Sequence, residues 1–376
     1  MWYATAGWDA STWREEVASN ARAWAPSVVR QLGHHRSVPN LIRRDRETRE
    51  ADESRLSAMA TRSVTSRGRA RPEDPDEFRT SFERDRDRII HAKAFRRLKH
   101  KTQVFLNPEG DHYVTRLTHT LQVSQIARGL AAALALNEPL AEAIALGHDV
   151  GHTPFGHTGE EALSPYFPPE GWHHAAQSVR IFTVLENLNL SWEVLDGIRA
   201  HSWKVQPPPV TAEAACVRFA DRIAYLTHDA LDALRAGVLI PGDFPPHLTN
   251  ALGPPGRDWV NRLITAVIEE SVRLGSVSMD GPTAVAMDEL RDFMFARVYV
   301  RPEARPQHEE AISVLRQLMD HHLARADAIP GSYRDTDAPL VVQAADYVSG
   351  MTDRFALSLH QDLFPDSPTP LLSSDR

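Results

Sequence analysis

The stretch PLAEAIALGHDVGHTPFGH, residues 139–157, decides how this chain is read. Its first half sets Leu140, Ala143, Ile144 and Leu146 at helical spacing behind Pro139, a residue suited to a first helical turn. Its second half is broken by Gly151, Pro154 and Gly156, so a helix over 139–150 gives way to a loop. His148 and Asp149 stand at the change. They lie about 100° apart around a helix, and both reach one ion if it sits off the helix end or between helices. His152 and His157 follow within nine residues of His148. Neutral imidazole is the commonest metal ligand, so this crowding points at chemistry.

Working outward, residues 115–136 read as a helix capped by Thr115, with Leu117, Leu121, Ile126, Leu130 and Leu134 along one side and His119 in its first turns. A helix over 211–236 carries Asp221. Further helices are expected over 174–190, 191–202, 257–275, 283–300, 307–328 and 338–360, with proline runs at 207–209, 245–246 and 254–255 in the gaps. No strand alternation is sustained, so the fold class is all-α, a single large helical domain. Residues 84–101 hold eight basic side chains against two acids, and Ile89, Ile90, Ala94 and Leu98 recur at helix spacing. That segment reads as one basic amphipathic helix, with anion binding or a subunit interface as its functional reading. Residues 41–80 read as a charged linker with a polar helix in the first half, and 1–40, with four of the eight tryptophans, as an extra arm or a misassigned start. The expected division is an N-terminal arm over 1–77, a helical domain over 78–360 with its core at about 115–235, and a disordered tail over 361–376.

Composition narrows the classes. The chain has 376 residues, 42 Lys and Arg against 50 Asp and Glu, and a formal charge of −8, which gives nucleic-acid binding no support. The longest nearly apolar stretch, 129–136, is far short of a bilayer span, and no signal peptide is recognisable, so a cytoplasmic protein is expected. The single cysteine, Cys216, excludes a disulfide framework or a cysteine-based zinc site within one chain, and sits among small apolar residues as a buried one would.

His119, then His148-Asp149 29 residues later, then Asp221 a further 72 on, offer two imidazoles and two carboxylates. Such a mixed set suits Mg²⁺, Mn²⁺ or Fe better than a thiolate zinc site. A metal there polarises a phosphoryl group and lowers the pKa of a bound water to about 7.

The words FERDRDRIIHAKAFRRLKHKTQVF (82–105), DHYVTRLTHTLQVSQIAR (111–128), GHDVGHTPFGHTGEEAL (147–163), HAAQSVRI (174–181), RFADRIAYLTHDALDALRAG (218–237) and DYVSGMTDRFAL (346–357) resemble, in order, the HD superfamily of metal-dependent phosphohydrolases. Within it the chain is similar to dGTPase-like deoxynucleoside triphosphate triphosphohydrolases over roughly residues 42–360. The resemblance implies the HD-domain helical fold and hydrolysis of a dNTP to deoxynucleoside and inorganic triphosphate. It implies His119, His148, Asp149 and Asp221 as ligands of a divalent ion, Mg, Mn, Fe or Co, with a second ion accompanying the substrate. His157 matches the catalytic histidine, Glu160 the acid paired with it, and His174 a second histidine that approaches the phosphates. Ala175 stands where the family has Asn. Tyr225 and Asp229, on the face of Asp221, match the deoxyribose contacts, with Gln103 as another 3′-hydroxyl contact. Arg116 and Arg222 match phosphate contacts, and Arg291 and Tyr299 complete the sugar and phosphate wall. Homo-oligomers and an activating nucleotide are implied as partners. His152 and His201 take no role, beyond a second-metal alternative for His152. An HD-type phosphatase or phosphodiesterase, or a nucleotide sensor without catalysis, are the alternatives.

Overall fold

The computed structural model describes residues 41–103, 114–334, 337–367 and 369. The expected arm over 1–40 and the last residues of the expected tail lie outside them. The chain divides after Arg44, and the unit that begins at Asp45 holds everything described below.

Sixteen α-helices run through the described residues, with two isolated bridges and no strand. They are α1 Arg46–Asp52, α2 Ser81–His91, α3 Lys93–Arg97, α4 Arg116–Ala133, α5 Glu138–Gly147, α6 His157–Leu163, α7 His174–Arg180 and α8 Trp192–Arg199. Then follow α9 Ala212–Arg235, α10 Pro246–Leu252, α11 Arg257–Leu274, α12 Gly281–Met294, α13 Arg305–Ala324, α14 Gly331–Arg334, α15 Leu340–Ser349 and α16 Asp353–Leu363. None of the described helices is long and apolar enough to cross a membrane.

The centre is α5. Leu140, Ala141, Ala143, Ile144, Ala145 and Leu146 are all buried, and only Glu138, Pro139 and Glu142 keep a narrow partly exposed edge. It therefore needs neighbours on most of its surface, and α2, α4, α8 and α9 supply them. Asn137 starts α5 by accepting from the Leu140 N–H at 3.3 Å. Thr115 and Thr211 do the same for α4 and α9, accepting from Thr118 N and Ala214 N. The expected boundaries of these three helices hold within about three residues.

A second core gathers Ala311, Val314, Leu315, Leu318 and Met319 of α13 with Ala344, Ala345 and Val348 of α15 and Ala356 of α16. The α5–α6 connection spans the two cores. Val150 belongs to the first, and Phe155 with Ala162 and Leu163 to the second. The link that carries His152 and His157 is thus anchored at both ends.

Three expectations change. The basic segment 84–101 is broken at Ala92, where ψ is 146°, and not one helix. Glu186, from a distant turn, accepts from the Lys93 and Ala94 N–H groups at 2.8 and 2.7 Å and starts a new helix there. Much of its charge is matched internally. Arg84 and Arg88 meet Glu73, Arg86 meets Asp87 and Glu142, and Arg97 lies 3.8 Å from Glu186. Residues 53–73 are tied down by acids of other helices: Glu213 accepts from Thr61 N and Oγ1, both at 2.9 Å, and Glu193 from Ser66 Oγ and Arg67 N, both at 2.7 Å. The expected helix over 338–360 is two, α15 and α16, and the second runs on to Leu363.

Candidate active site

α4, α5 and α9 pack against one another and bring His119, His148 and Asp221 together. His119 Nε2 lies 3.1 Å from Asp221 Oδ1, and His148 Nε2 lies 3.7 Å from the same oxygen. Asp149 completes the group, its Oδ1 3.5 Å from His148 Nε2 and its Oδ2 4.0 Å from His119 Nε2. His148 Nδ1 donates to the Ala145 carbonyl at 2.6 Å, which leaves the lone pair on Nε2. That buried Nε2 has no hydrogen-bond partner among the described residues. An orphaned imidazole nitrogen between two carboxylates fits a divalent cation.

The electrostatics agree. Burial opposes charge on His148, yet Asp149 and Asp221 hold its pKa up at about 9. Burial alone would raise Asp149, but His148, His152 and Arg116 keep it well below the usual carboxylate range. This pocket is built to hold positive charge.

Arg116, the first residue of α4, is buried and donates through Nη1 to Asp149 Oδ2 at 2.7 Å. Its Nε and Nη2 have no partner among the described residues. Nη2 faces the backbone at Gly156, where φ is +58° and an added Cβ would lie 2.7 Å from it. Phe155 beside it has φ +60°. This left-handed pair brings the loop close to the arginine. The Gln103 carbonyl borders the same spot, and the Gln103 Oε1 is buried with no partner among the described residues.

His157 heads α6. Solvent reaches its ring, but the protein around it disfavours its charged form and lowers its pKa, with Glu160 opposing. The expected His157–Glu160 contact is not formed. Glu160 Oε1 instead accepts from the His174 backbone N–H at 2.8 Å and from His174 Nδ1 at 2.6 Å. The reason is local: the first N–H groups of α7 need an acceptor, and Glu160 supplies one. His173 is half-buried and caps α7 through Nδ1, accepting from Ala175 N at 3.1 Å.

On α9, Tyr225 stands beside Arg222 and Asp221, its hydroxyl pushed up to about 12, mainly by burial. Asp229 accepts from the Tyr299 hydroxyl at 2.8 Å, and burial pushes its carboxyl up to about 8. Arg222 is turned to Asp288 at 2.9 Å and lies over the Trp203 ring. Arg291 pairs with Asp292 at 2.8 Å. These two arginines therefore carry acidic partners. Cys216 is buried and free, as its neighbours imply.

Four further residues enter the site: His201, His152, Lys101 and Asp353. His201 Nε2 lies 3.0 Å from His174 Nε2, and the His152 ring stacks on that of His174 at 3.9 Å between centroids. Lys101 is fully buried and donates to the His152 and Ser349 carbonyls, and burial lowers its pKa to about 7. Asp353 accepts from Phe155 N at 3.1 Å and from Thr102 N at 2.9 Å. The crowding of histidines was the only signal for His152, and the word DYVSGMTDRFAL held Asp353 without saying what it touches.

Comparison with known proteins matches residues 116–226 to the HD domain and residues 277–362 to the phosphohydrolase-associated domain. A deoxyguanosinetriphosphate triphosphohydrolase-like protein of Caldanaerobacter subterraneus subsp. tengcongensis is 48% identical over 327 residues, covering 85% of this chain and 96% of that one. Proteins of the same description from Desulfatibacillum aliphaticivorans and Clostridium tetani are 43% and 42% identical. They cover 88% and 81% of this chain, and 99% and 91% of their own. The helices and cleft are those of an HD-domain phosphohydrolase. The chain belongs to the deoxyguanosinetriphosphate triphosphohydrolase-like family.

Proposed function

We propose that this protein hydrolyses deoxynucleoside triphosphates to the deoxynucleoside and inorganic triphosphate. His119, His148, Asp149 and Asp221 would hold a divalent cation, Mg, Mn, Fe or Co. When bound, that ion supplies Lewis-acid polarisation of the α-phosphoryl group and acidifies water beside it.

The remaining work falls to side chains of the chain. Arg116 is pinned to Asp149 through Nη1 and keeps Nε and Nη2 free to donate to phosphate oxygens. His157 gives its proton to the departing 5′-oxygen. The polyanionic triphosphate favours the charged ring that its protein surroundings otherwise disfavour. Glu160 fixes His174 so that Nε2 faces the cleft. Arg222 and Arg291 reach the phosphates by exchanging their pairing with Asp288 and Asp292.

The observation that carries the substrate reading is the wall beside Asp221. Tyr225 and Asp229 follow it on α9, and Tyr299 donates to Asp229. The Asp229–Tyr299 pair offers both a donor and an acceptor to a 3′-hydroxyl. The Tyr225 ring packs on the sugar face and leaves no room for a 2′-hydroxyl. Gln103 lends a further polar group. The relatives' description as deoxyguanosinetriphosphate triphosphohydrolase-like supports the same reading.

The test is a product assay. Purified protein with Mn²⁺ or Mg²⁺ is given each dNTP and rNTP, and products are resolved by ion exchange. Inorganic triphosphate from dNTPs alone is expected. Monophosphate or orthophosphate as the released product would replace this reading with a phosphatase or phosphodiesterase.

A further inference from the structure

A second pocket lies outside the cation cleft. It encloses about 400 Å³ between the turn after α8, the first half of α9 and the start of α12. Trp203, Phe219, Met279 and Met287 wall it, and Arg218 and Arg222 line it from successive turns of α9. Both arginines are nine-tenths buried. The one carboxylate among the lining residues is Asp288, and it is paired with Arg222 at 2.9 Å. Arg218 is held differently. Its Nη2 donates to the Ser202 and Val205 carbonyls at 2.8 and 3.1 Å, and no carboxylate meets it among the described residues. Its Nε is buried without a hydrogen-bond partner there, and so is the Nε of Arg222. Burial, then the charge of Arg199, disfavours the Arg218 cation. Carbonyl oxygens carry no net charge, so a buried guanidinium held by them alone lacks a counter-ion.

We propose that this pocket binds inorganic triphosphate, the leaving group of the reaction read above, with Arg218 and Arg222 as its cationic donors. Charge calls for an anion, because two guanidinium groups line the pocket with one carboxylate between them. Spacing calls for an extended one. The two arginines are four residues apart on α9, about 6 Å along the helix axis. A single phosphate taken by one guanidinium leaves the other without a counter-ion, whereas a chain of three phosphates offers oxygens to both. Trp203 holds the two donors in place. Its ring centroid is 5.3 Å from Arg218 Cζ and 4.9 Å from Arg222 Cζ, and its Nε1 donates to the Arg218 carbonyl at 3.1 Å. The apolar wall strengthens the attraction by keeping the local dielectric low. Position ties the pocket to the cleft. Arg222 follows Asp221, a member of the cation group, while its guanidinium lines the pocket. Triphosphate bound here holds Arg222 away from the phosphates of the next substrate and so slows turnover. The proposal rests on the reading that triphosphate is the product.

The test titrates the full chain with sodium tripolyphosphate in a calorimeter, with Mn²⁺ kept in excess over the anion. The wild type should bind about two anions per chain, one in the cleft and one in the pocket. Arg218→Met keeps an apolar stem and removes the charge. It should weaken the second anion by about 10- to 100-fold. Ala284→Phe sets a ring into the pocket without touching either arginine, and should leave about one anion per chain. Orthophosphate should bind the pocket at least about tenfold more weakly than tripolyphosphate. In rate assays, added tripolyphosphate should inhibit the wild type in a way that excess dNTP does not fully relieve. In both variants excess dNTP should relieve it, and initial rates without added anion should stay at the wild-type value. Thermal melts of both variants establish that they fold.

One anion per chain in the wild type, or wild-type binding by both variants, would overturn the pocket. The product assay separates this from the substrate reading. Triphosphate release by a protein that binds one anion removes only the pocket. Two bound anions without triphosphate release from dNTPs keep the pocket as a site for condensed phosphates and remove only the dNTP assignment.

Discussion

Among the described residues, buried histidines occur in two places, and they differ in every respect except burial. In the cleft, Nδ1 of His148, His174 and His201 each meets a fixed acceptor, and the three Nε2 atoms converge. In the second core, His322 lies on Tyr347 with ring centroids 5.0 Å apart, and neither of its nitrogens has a partner among the described residues. His360 packs on Phe364 at 5.1 Å and reaches Gln317 at 3.3 Å. The charge preference is opposite as well. Asp149 and Asp221 hold His148 up at about 9, whereas burial, then His321, pushes His322 down to about 4. A histidine count therefore marks no site. What marks one is a partner on the outer nitrogen and a carboxylate facing the inner one.

The contrast is broken most severely at His148. His148→Ala should lower triphosphate release by more than about a thousandfold, well past the loss typical of an outer partner. Bound Mn should fall with it. A variant that keeps its metal and a tenth of its rate would put the catalytic cleft elsewhere.

Asp353 tests whether the second core reaches into that cleft. It belongs to α16, yet it accepts from Phe155 N in the left-handed loop before His157. Asp353→Ala should leave the metal content unchanged and reduce kcat by about 10- to 100-fold through misplacement of His157. A loss of bound metal, or no change in kcat, would refute a positioning role confined to this loop.

Asp229 sharpens the comparison from the acid side. Its carboxyl is pushed up to about 8, while in the unfolded chain it titrates near 3.8. The raised folded pKa contributes stability at low pH that is lost as pH rises from about 4 through 8. Asp229→Asn keeps the acceptor for Tyr299 without the charge. It should match the wild type at pH 4 and exceed it by about 5 kcal/mol at pH 9 in denaturant melts. Turnover should fall, because the sugar contact is altered. A stability gap that stays flat across pH would show that Asp229 is not held neutral.

Parts of this architecture were legible from the chain and parts were not, for a physical reason. The helices α4, α5 and α9 could be read because capping residues and apolar spacing are local signals, and they carry His119, His148-Asp149 and Asp221. The break at Ala92 could not, because the carboxylate that starts α3 comes from Glu186. The π-helical turns at Ile181–Leu185 and Phe295–Tyr299 extend α7 and α12 without any breaker in the sequence. The family resemblance implied that Glu160 pairs with His157. The carboxylate went to His174 because an open backbone N–H and a ring nitrogen lay together there. His201 and Asp353 lie far along the chain from the loop they serve, and only tertiary packing shows their place.

The smallest effect is expected at His322, and it is the strictest check on the comparison. If burial without a partner is what separates this histidine from those of the cleft, removing its imidazole should cost little. Its folded pKa of about 4 lies below the ordinary 6.5, so the neutral ring contributes stability above pH 6.5 that is lost as pH falls toward 4. His322→Leu fills similar space and has no proton to take up. It should leave triphosphate release and metal content at wild-type values and change stability at pH 8 by less than about 1 kcal/mol. Below pH 6 it should be the more stable of the two, because the wild type alone must then protonate a ring that the apolar core of α13 and α15 disfavours. Chemical denaturation at pH 8 and pH 5 measures both. A large loss at pH 8, or a fall in turnover, would mean that His322 works with a partner after all and that the two sets of histidines are not opposites.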